Sequence, residues 1–172
     1  MIELTLRHEL SCTPQRHWKL FFDPDWTREL ILDGLGFNKC EVGDLERDGD
    51  ITTRKMRVEP KIDVPGPVAR LLGPRLGYTE HGTYDETAKT WNYKLVLSVL
   101  SSQIQLGGDF HIEPKGEDKC VRVSKSWVKV KVPLIGVMVE KAAEKNMRKG
   151  WDDSASWINQ WLAAHPEPSD AG

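Results

Sequence analysis

The chain has 172 residues, 39% hydrophobic and 29% charged, with a formal net charge of −2. That composition suits one globular domain and excludes a disordered chain. It also lacks the surplus of Lys and Arg that nucleic-acid binding draws on, so no nucleic acid is expected as a partner. The three cysteines, Cys12, Cys40 and Cys120, are odd in number and widely spaced. They suit reduced thiols in a cytoplasmic protein, and neither a disulfide framework nor a zinc site. Met1-Ile2-Glu3-Leu4-Thr5 has no basic region before an apolar run, and no stretch is apolar enough to span a bilayer, so neither a secretory leader nor a membrane helix is expected.

In chain order, Ile2, Leu4, Leu6, His8 and Leu10 alternate with Glu3, Thr5, Arg7 and Glu9, which predicts a strand with one buried face. Thr13-Pro14 and then Asp23-Pro24 each supply an N-cap followed by proline in a first helical turn. They predict two short helices, one carrying Trp18, Phe21 and Phe22, the other running through Trp26, Leu30 and Ile31 to a stop at Gly34 and Gly36. Five strand patterns follow, at 37–47, 50–59, 77–85, 91–100 and 104–113, the first two joined by an Asp48-Gly49 hairpin turn.

A seventh strand is expected over 119–132, stopped by Pro133. Val121, Val123 and Trp127 share one parity and Val128, Val130 and Val132 the other, so a bulge or strong bend is expected near 124–127. Gly107-Gly108 reads as a kink or bulge in the strand before it. A long helix over 134–164 carries Val139, Ala142, Ala143, Met147, Trp151, Ile158 and Trp161 at helical spacing, with Glu140, Lys141, Glu144, Lys145 and Arg148 on the other side. Residues 165–172 read as a disordered tail. Strand runs joined by hairpins imply an antiparallel sheet, and the amphipathic helix must bury its stripe against it. The expected architecture is α+β: a single domain over 1–164 in which a curved seven-stranded antiparallel sheet wraps a long C-terminal helix, with two short helices after strand 1.

That order resembles the START-like (SRPBCC, or Bet v 1-like) superfamily. The local likeness lies in Cys12-Thr13-Pro14-Gln15-Arg16-His17-Trp18 with Phe22-Asp23-Pro24, and in Val130-Lys131-Val132-Pro133-Leu134-Ile135-Gly136 with Glu140-Lys141. The chain looks like a bacterial branch catalogued as a domain of unknown function. The resemblance covers 2–162 and implies a helix-grip fold with a cavity between sheet and long helix. Across the superfamily that cavity carries lipids, sterols, polyketides, quinones or hormones, and in some members it supports cyclisation or hydrolysis. Fold membership does not fix the function.

The residues suggest a cavity as well. Ala142, Ala143, Asn146, Gly150 and Ser154 put small or polar groups along the middle of the long helix, facing a sheet rich in Trp91, Tyr93, Leu95 and Leu97. Either volume is left for an apolar ligand, or the sheet aromatics fill it. The expected lining is Met56, Tyr84, Tyr93, Leu95, Ala143, Met147, Gly150 and Ser154, with His8, Arg54 and Glu80 as its polar groups; the alternatives are that His8 is a hydrogen-bonded core residue and that Arg54 and Glu80 have the opposite strand phase and are solvated. The breaker-rich stretch 60–77, with Val68, Leu71, Leu72 and Leu76, reads as a lid containing a short helix, or as a loop packed over the sheet edge. His111 is expected to face solvent.

No HExxH, GxSxG or phosphate-binding glycine loop is present, so no assembled catalytic set, metal site or cofactor is expected. The expected function is therefore carriage of a hydrophobic small molecule. The alternative is a polyketide cyclase or aromatase using the same pocket, with His8 or Glu80 as general acid or base. Lys125, Lys129 and Lys131 on one parity, with Arg70 and Arg75 flanking the lid, suggest transient contact with a membrane, or a solvated lysine edge that discourages aggregation.

Overall fold

Alternation starts the fold. In the computed structural model, which describes residues 1–168, β1 (Ile2–Leu10) turns its even-numbered side chains inward. Thr13 caps α1 (Pro14–Phe21) by accepting the Arg16 N–H, and Asp23 caps α2 (Pro24–Glu29) by accepting the N–H groups of Asp25 and Trp26. α2 loosens into a π-helical turn over Leu30–Gly34. Gly34 is needed there, because a Cβ would come within 2.8 Å of the Trp157 ring.

The remaining elements are β2 (Lys39–Val42), β3 (Glu46–Asp48), β4 (Ile51–Glu59), α3 (Gly66–Leu72), β5 (Tyr78–Asp85), β6 (Thr90–Leu97), β7 (Ile104–Lys115), β8 (Lys119–Val130) and α4 (Gly136–Ala164). Their strands form one antiparallel sheet of eight in the order β1-β8-β7-β6-β5-β4-β2, with β3 also paired to β4. The expected count was seven. The single strand expected at 37–47 is two, because Val42 faces Met56 while Glu46 faces Thr53. One extra residue on the outer strand makes a bulge. At its start, a Cβ on Gly43 would come within 2.7 Å of the Lys55 carbonyl oxygen.

The bulge expected in β8 is absent. Its register runs unbroken against β1 and against β7. Cys120, Arg122, Ser124, Ser126 and Val128 all lie on the inner face, so Val121, Val123 and Trp127 point outward. The switch of parity arises because the middle of the inner face is polar, which leaves the outward valines as the more visible pattern. The Gly107-Gly108 pair makes no bulge either, since β6–β7 pairing is also continuous.

α4 lies across β1 and β8, with the π-helical turn and α3 also packed on it. The apolar core forms three clusters. One joins Leu10, Trp26, Cys120 and Ile158; another Val68, Leu106, Val128 and Val139; the third Ile31, Met56 and Val58. Between them lies a polar and aromatic middle. The expected disordered tail falls on 165–172; positions 169–172 lie outside the described residues. Its first part is held: His165 stacks on Trp161 at 4.1 Å, and Arg16 donates to the His165 carbonyl and pairs with Glu167.

His17 on α1 is buried among Trp18, Phe21 and Phe110, with ring centroids 5.0 to 6.0 Å away. Burial, helped by the Arg122 charge, pushes its pKa down from 6.5 to about 3. A base held neutral in the fold stabilises above the unfolded pKa, and that stability drains as pH falls between the two values. Chemical denaturation should therefore show stability declining from pH 6.5 toward 3, by up to about 1.4 kcal/mol per unit from this group. His17→Leu should flatten that slope while keeping the fold.

Candidate ligand site between the sheet and the long helix

Two glycines let aromatic rings lie flat on the inner face. Gly82 of β5 lies under Trp91, where a Cβ would meet the ring at 1.6 Å, and Gly108 of β7 lies beside Tyr93, where a Cβ would come within 2.6 Å of the phenol oxygen. The glycine pair read as a kink is thus a seat for a ring. So placed, Tyr93 and Ser126 hydroxyls hydrogen-bond at 2.8 Å, and the Trp151 indole N–H of α4 donates to the same Ser126 Oγ at 3.1 Å. One serine ties sheet to helix at mid-span.

Beside this link, Arg54 and Glu80 both face inward, one of the two phases the strand pattern left open, with Nη2 and Oε1 3.9 Å apart. The guanidinium donates to the Phe21 carbonyl at 2.8 Å and lies 4.5 Å from the Phe21 ring and 5.1 Å from the Trp91 ring. Its Nε has no partner. Burial pushes the Glu80 carboxyl above its ordinary value despite Arg54, and burial with the Glu80 charge pushes the Tyr78 phenol up as well. Glu80 is deep yet not sealed, with 16% of its side chain accessible. Tyr78, Tyr93, Leu95, Leu97, Met147 and Trp151 are likewise half-buried.

The other expected residues separate. His8 does not join Arg54 and Glu80: its Nε2 pairs with Asp152 Oδ1 of α4 at 2.7 Å. Tyr84 belongs to an aromatic cluster with Trp18 and Phe22 at the α1 end, and Met56 is sealed in the third core cluster. Ser154 leaves no volume, because its hydroxyl accepts from Arg122 Nη2 at 2.9 Å. Leu95, Ala143 and Met147 flank the second cluster. Gly150 opens onto unfilled space; a Cβ there would meet nothing within 4 Å.

The residues missed are Tyr78, Arg122, Ser126 and the tie role of Trp151. Arg122 is buried, donates to the Trp151 carbonyl at 3.0 Å and lies 4.6 Å from its ring; burial lowers its pKa to about 10. The signal for Arg122 and Ser126 was β8 itself: an unbroken strand keeps one phase, and Cys120 and Val128 set it.

The expected lid is packed down. Val68 and Leu72 of α3 are buried in the second cluster, and Leu71 and Leu76 pack against it. Asn146, read as a small polar gap in the helix, clips this segment instead. Its amide accepts the Asp63 N–H at 3.1 Å and donates to the Asp63 carbonyl at 2.9 Å, while Lys145 pairs with the Asp63 carboxylate at 2.7 Å. Among the described residues, no cluster of His, Cys, Asp and Glu is placed to hold a metal, and no helix is long and apolar enough to cross a membrane.

Residues 5–162 match the family described as a protein of unknown function, DUF2505. No curated protein matches the chain. Among solved structures, a START superfamily protein from Mycobacterium smegmatis is 16% identical with a TM-score of 0.63, over 92% of this chain and 98% of that one. The Zhui aromatase/cyclase from Streptomyces sp. R1128 is 12% identical with a TM-score of 0.62, over 95% and 98%. Norcoclaurine synthase from Thalictrum flavum, in complex with dopamine and hydroxybenzaldehyde, is 19% identical with a TM-score of 0.60, over 97% and 90%. These likenesses show the helix-grip fold.

Removing the Asn146 amide should loosen the 60–77 segment. Asn146→Ala is expected to speed hydrogen exchange of its amides and to cost about 1–2 kcal/mol of stability. Unchanged exchange there would show that α3 burial alone holds the segment.

Proposed function

The chain belongs to the DUF2505 family, and from that premise we propose that it holds an apolar small molecule with one polar group between β5, β6 and the middle of α4. The observation that carries this reading is the split interior. The apolar packing is split into three clusters, Tyr78, Glu80, Leu95 and Met147 stay half-buried, and on α4 a Cβ at Gly150 would meet nothing within 4 Å. A ligand there meets aliphatic and aromatic walls, with a phenol and a carboxyl available to orient a hydroxyl or carbonyl. The named neighbours, an aromatase/cyclase and norcoclaurine synthase, act on small organic molecules within the same fold, which supports the reading without fixing the ligand.

Burial of apolar groups supplies the affinity. Each methylene contributes about 0.8 kcal/mol, so a ten-carbon skeleton gains roughly 8 kcal/mol before association costs, consistent with micromolar or weaker binding. Gly150→Leu projects a side chain into space that is empty of protein, so the variant should fold and should lower affinity for an apolar fluorescent probe by about tenfold or more. Unchanged affinity in folded Gly150→Leu would place the ligand elsewhere. With ligand bound, amides of 60–77 should exchange more slowly than in the free protein.

One observation favours a second reading, an enzyme of the cyclase kind. Glu80 is a largely buried carboxyl that burial holds above its ordinary pKa, and burial with the Glu80 charge also raises the Tyr78 phenol, a combination that suits a general acid or base. Under this reading, Glu80→Gln should keep probe binding and abolish turnover of an aromatic or polyketide-like test substrate. Retained turnover in that variant would remove Glu80 as the acid or base, and no turnover by the parent chain would leave the carrier reading alone.

A further inference from the structure

The two ends of the sheet differ in charge and in apolar exposure. At the end bearing the turns 43–50, 85–89 and 113–119, nine acidic residues face four basic ones. At the other end, the loops 60–77, 98–103 and 131–135 with residues 136–141 of α4 carry Lys61, Arg70, Arg75, Lys131 and Lys141 against two acids, Asp63 and Glu140. Asp63 is already neutralised by Lys145. A chain with a slightly negative total therefore presents one basic face, and the positive end of the α4 dipole adds to it.

The same end carries apolar side chains that the fold does not use. Leu134 is fully exposed, and Val137 and Met138 are 69% and 39% exposed. Leu134 also has φ of 69°, a left-handed conformation that disfavours a leucine and suits glycine. The chain thus holds a strained backbone to present a leucine that packs on nothing, an arrangement that accompanies function. This tip walls a groove of about 730 Å³ whose other side is Asp63, Val64 and Pro65, and which reaches Ala142 of the core.

We propose that this tip docks on the surface of an anionic lipid bilayer, with Leu134, Val137 and Met138 entering the headgroup region and the surrounding lysines and arginines meeting lipid phosphates. The occupant is a bilayer because the apolar groups protrude singly from the chain where β8 leads into α4, at the end of the sheet that carries Lys61, Arg70, Arg75, Lys131 and Lys141, which have no ion-pair partner among the described residues. Shallow insertion beside a diffuse negative surface needs those features. The docking element differs from that expected from sequence: Leu72 is sealed in the core, and the exposed groups come from the start of α4. The proposal stands independently of what the interior holds.

The test is co-sedimentation of the full chain with phosphatidylglycerol-rich and with phosphatidylcholine vesicles, at low and high salt. The expected result is pelleting with the first kind at low salt, weakened by salt. Leu134→Gly and Val137→Ser should each reduce binding by several-fold and together by about tenfold or more. Leu134→Gly should keep or raise the melting temperature, since glycine suits that φ, so lost binding cannot be laid to misfolding. Ile51→Ser, an exposed apolar site at the acidic end, should pellet like the parent. Failure of the parent chain to pellet with anionic vesicles overturns the proposal, as does undiminished binding by the tip variants. So does a dimer that the tip variants dissociate without any vesicle binding, which would assign the face to a second copy.

Discussion

A guanidinium group taken out of water must find acceptors or flat aromatic faces, and two such groups organise the interior of this protein. Arg54 does so with the Phe21 carbonyl and the rings of Phe21 and Trp91; Arg122 does so with the Trp151 carbonyl, the Ser154 hydroxyl and the Trp151 ring. The first ties α1 to the middle of the sheet. The second ties α4 to β8. Neither helix is then free to slide along the sheet, because a shift would strand a buried charge, at a cost of several kcal/mol.

From these ties comes the division of the core. Close packing of leucine and isoleucine is confined to three clusters, and the space between them is bounded by groups that hydrogen-bond. Such an interior gives up some apolar burial and leaves Tyr78, Glu80 and Tyr93 half-buried among its polar groups. Gly82 and Gly108 are part of the same arrangement, since with a Cβ at either place the rings of Trp91 and Tyr93 could not lie against the sheet.

How much of this was legible follows from periodicity. The two proline-entered helices, the hairpin strands and the long helix were readable because caps, alternation and helical spacing are local. The phase of Arg54 and Glu80 was only half readable: alternation put them on a face with Met56 and Tyr78, but left open whether that face was buried or solvated. What escaped was whatever depends on partners far along the chain. Arg122 and Ser126 look like surface residues until β8 is paired on both sides. Asn146 looks like a gap until Asp63 is brought beside it. His8 looks like a pocket residue until Asp152 comes over it from α4. The split of 37–47 into two strands was hidden because a bulge is a relation between strands, not a pattern within one.

That split has a further consequence. A sheet ordered from β1 to β2 is open, and an open edge is a template on which a foreign strand can pair. At the β2–β3 side, the step between Val42 and Glu46 breaks the outer rim into pieces of four and three residues, set out of register with each other. A strand arriving from another molecule would gain a few ladder bonds and then lose alignment. The bulge makes this rim a poor seed for polymer growth.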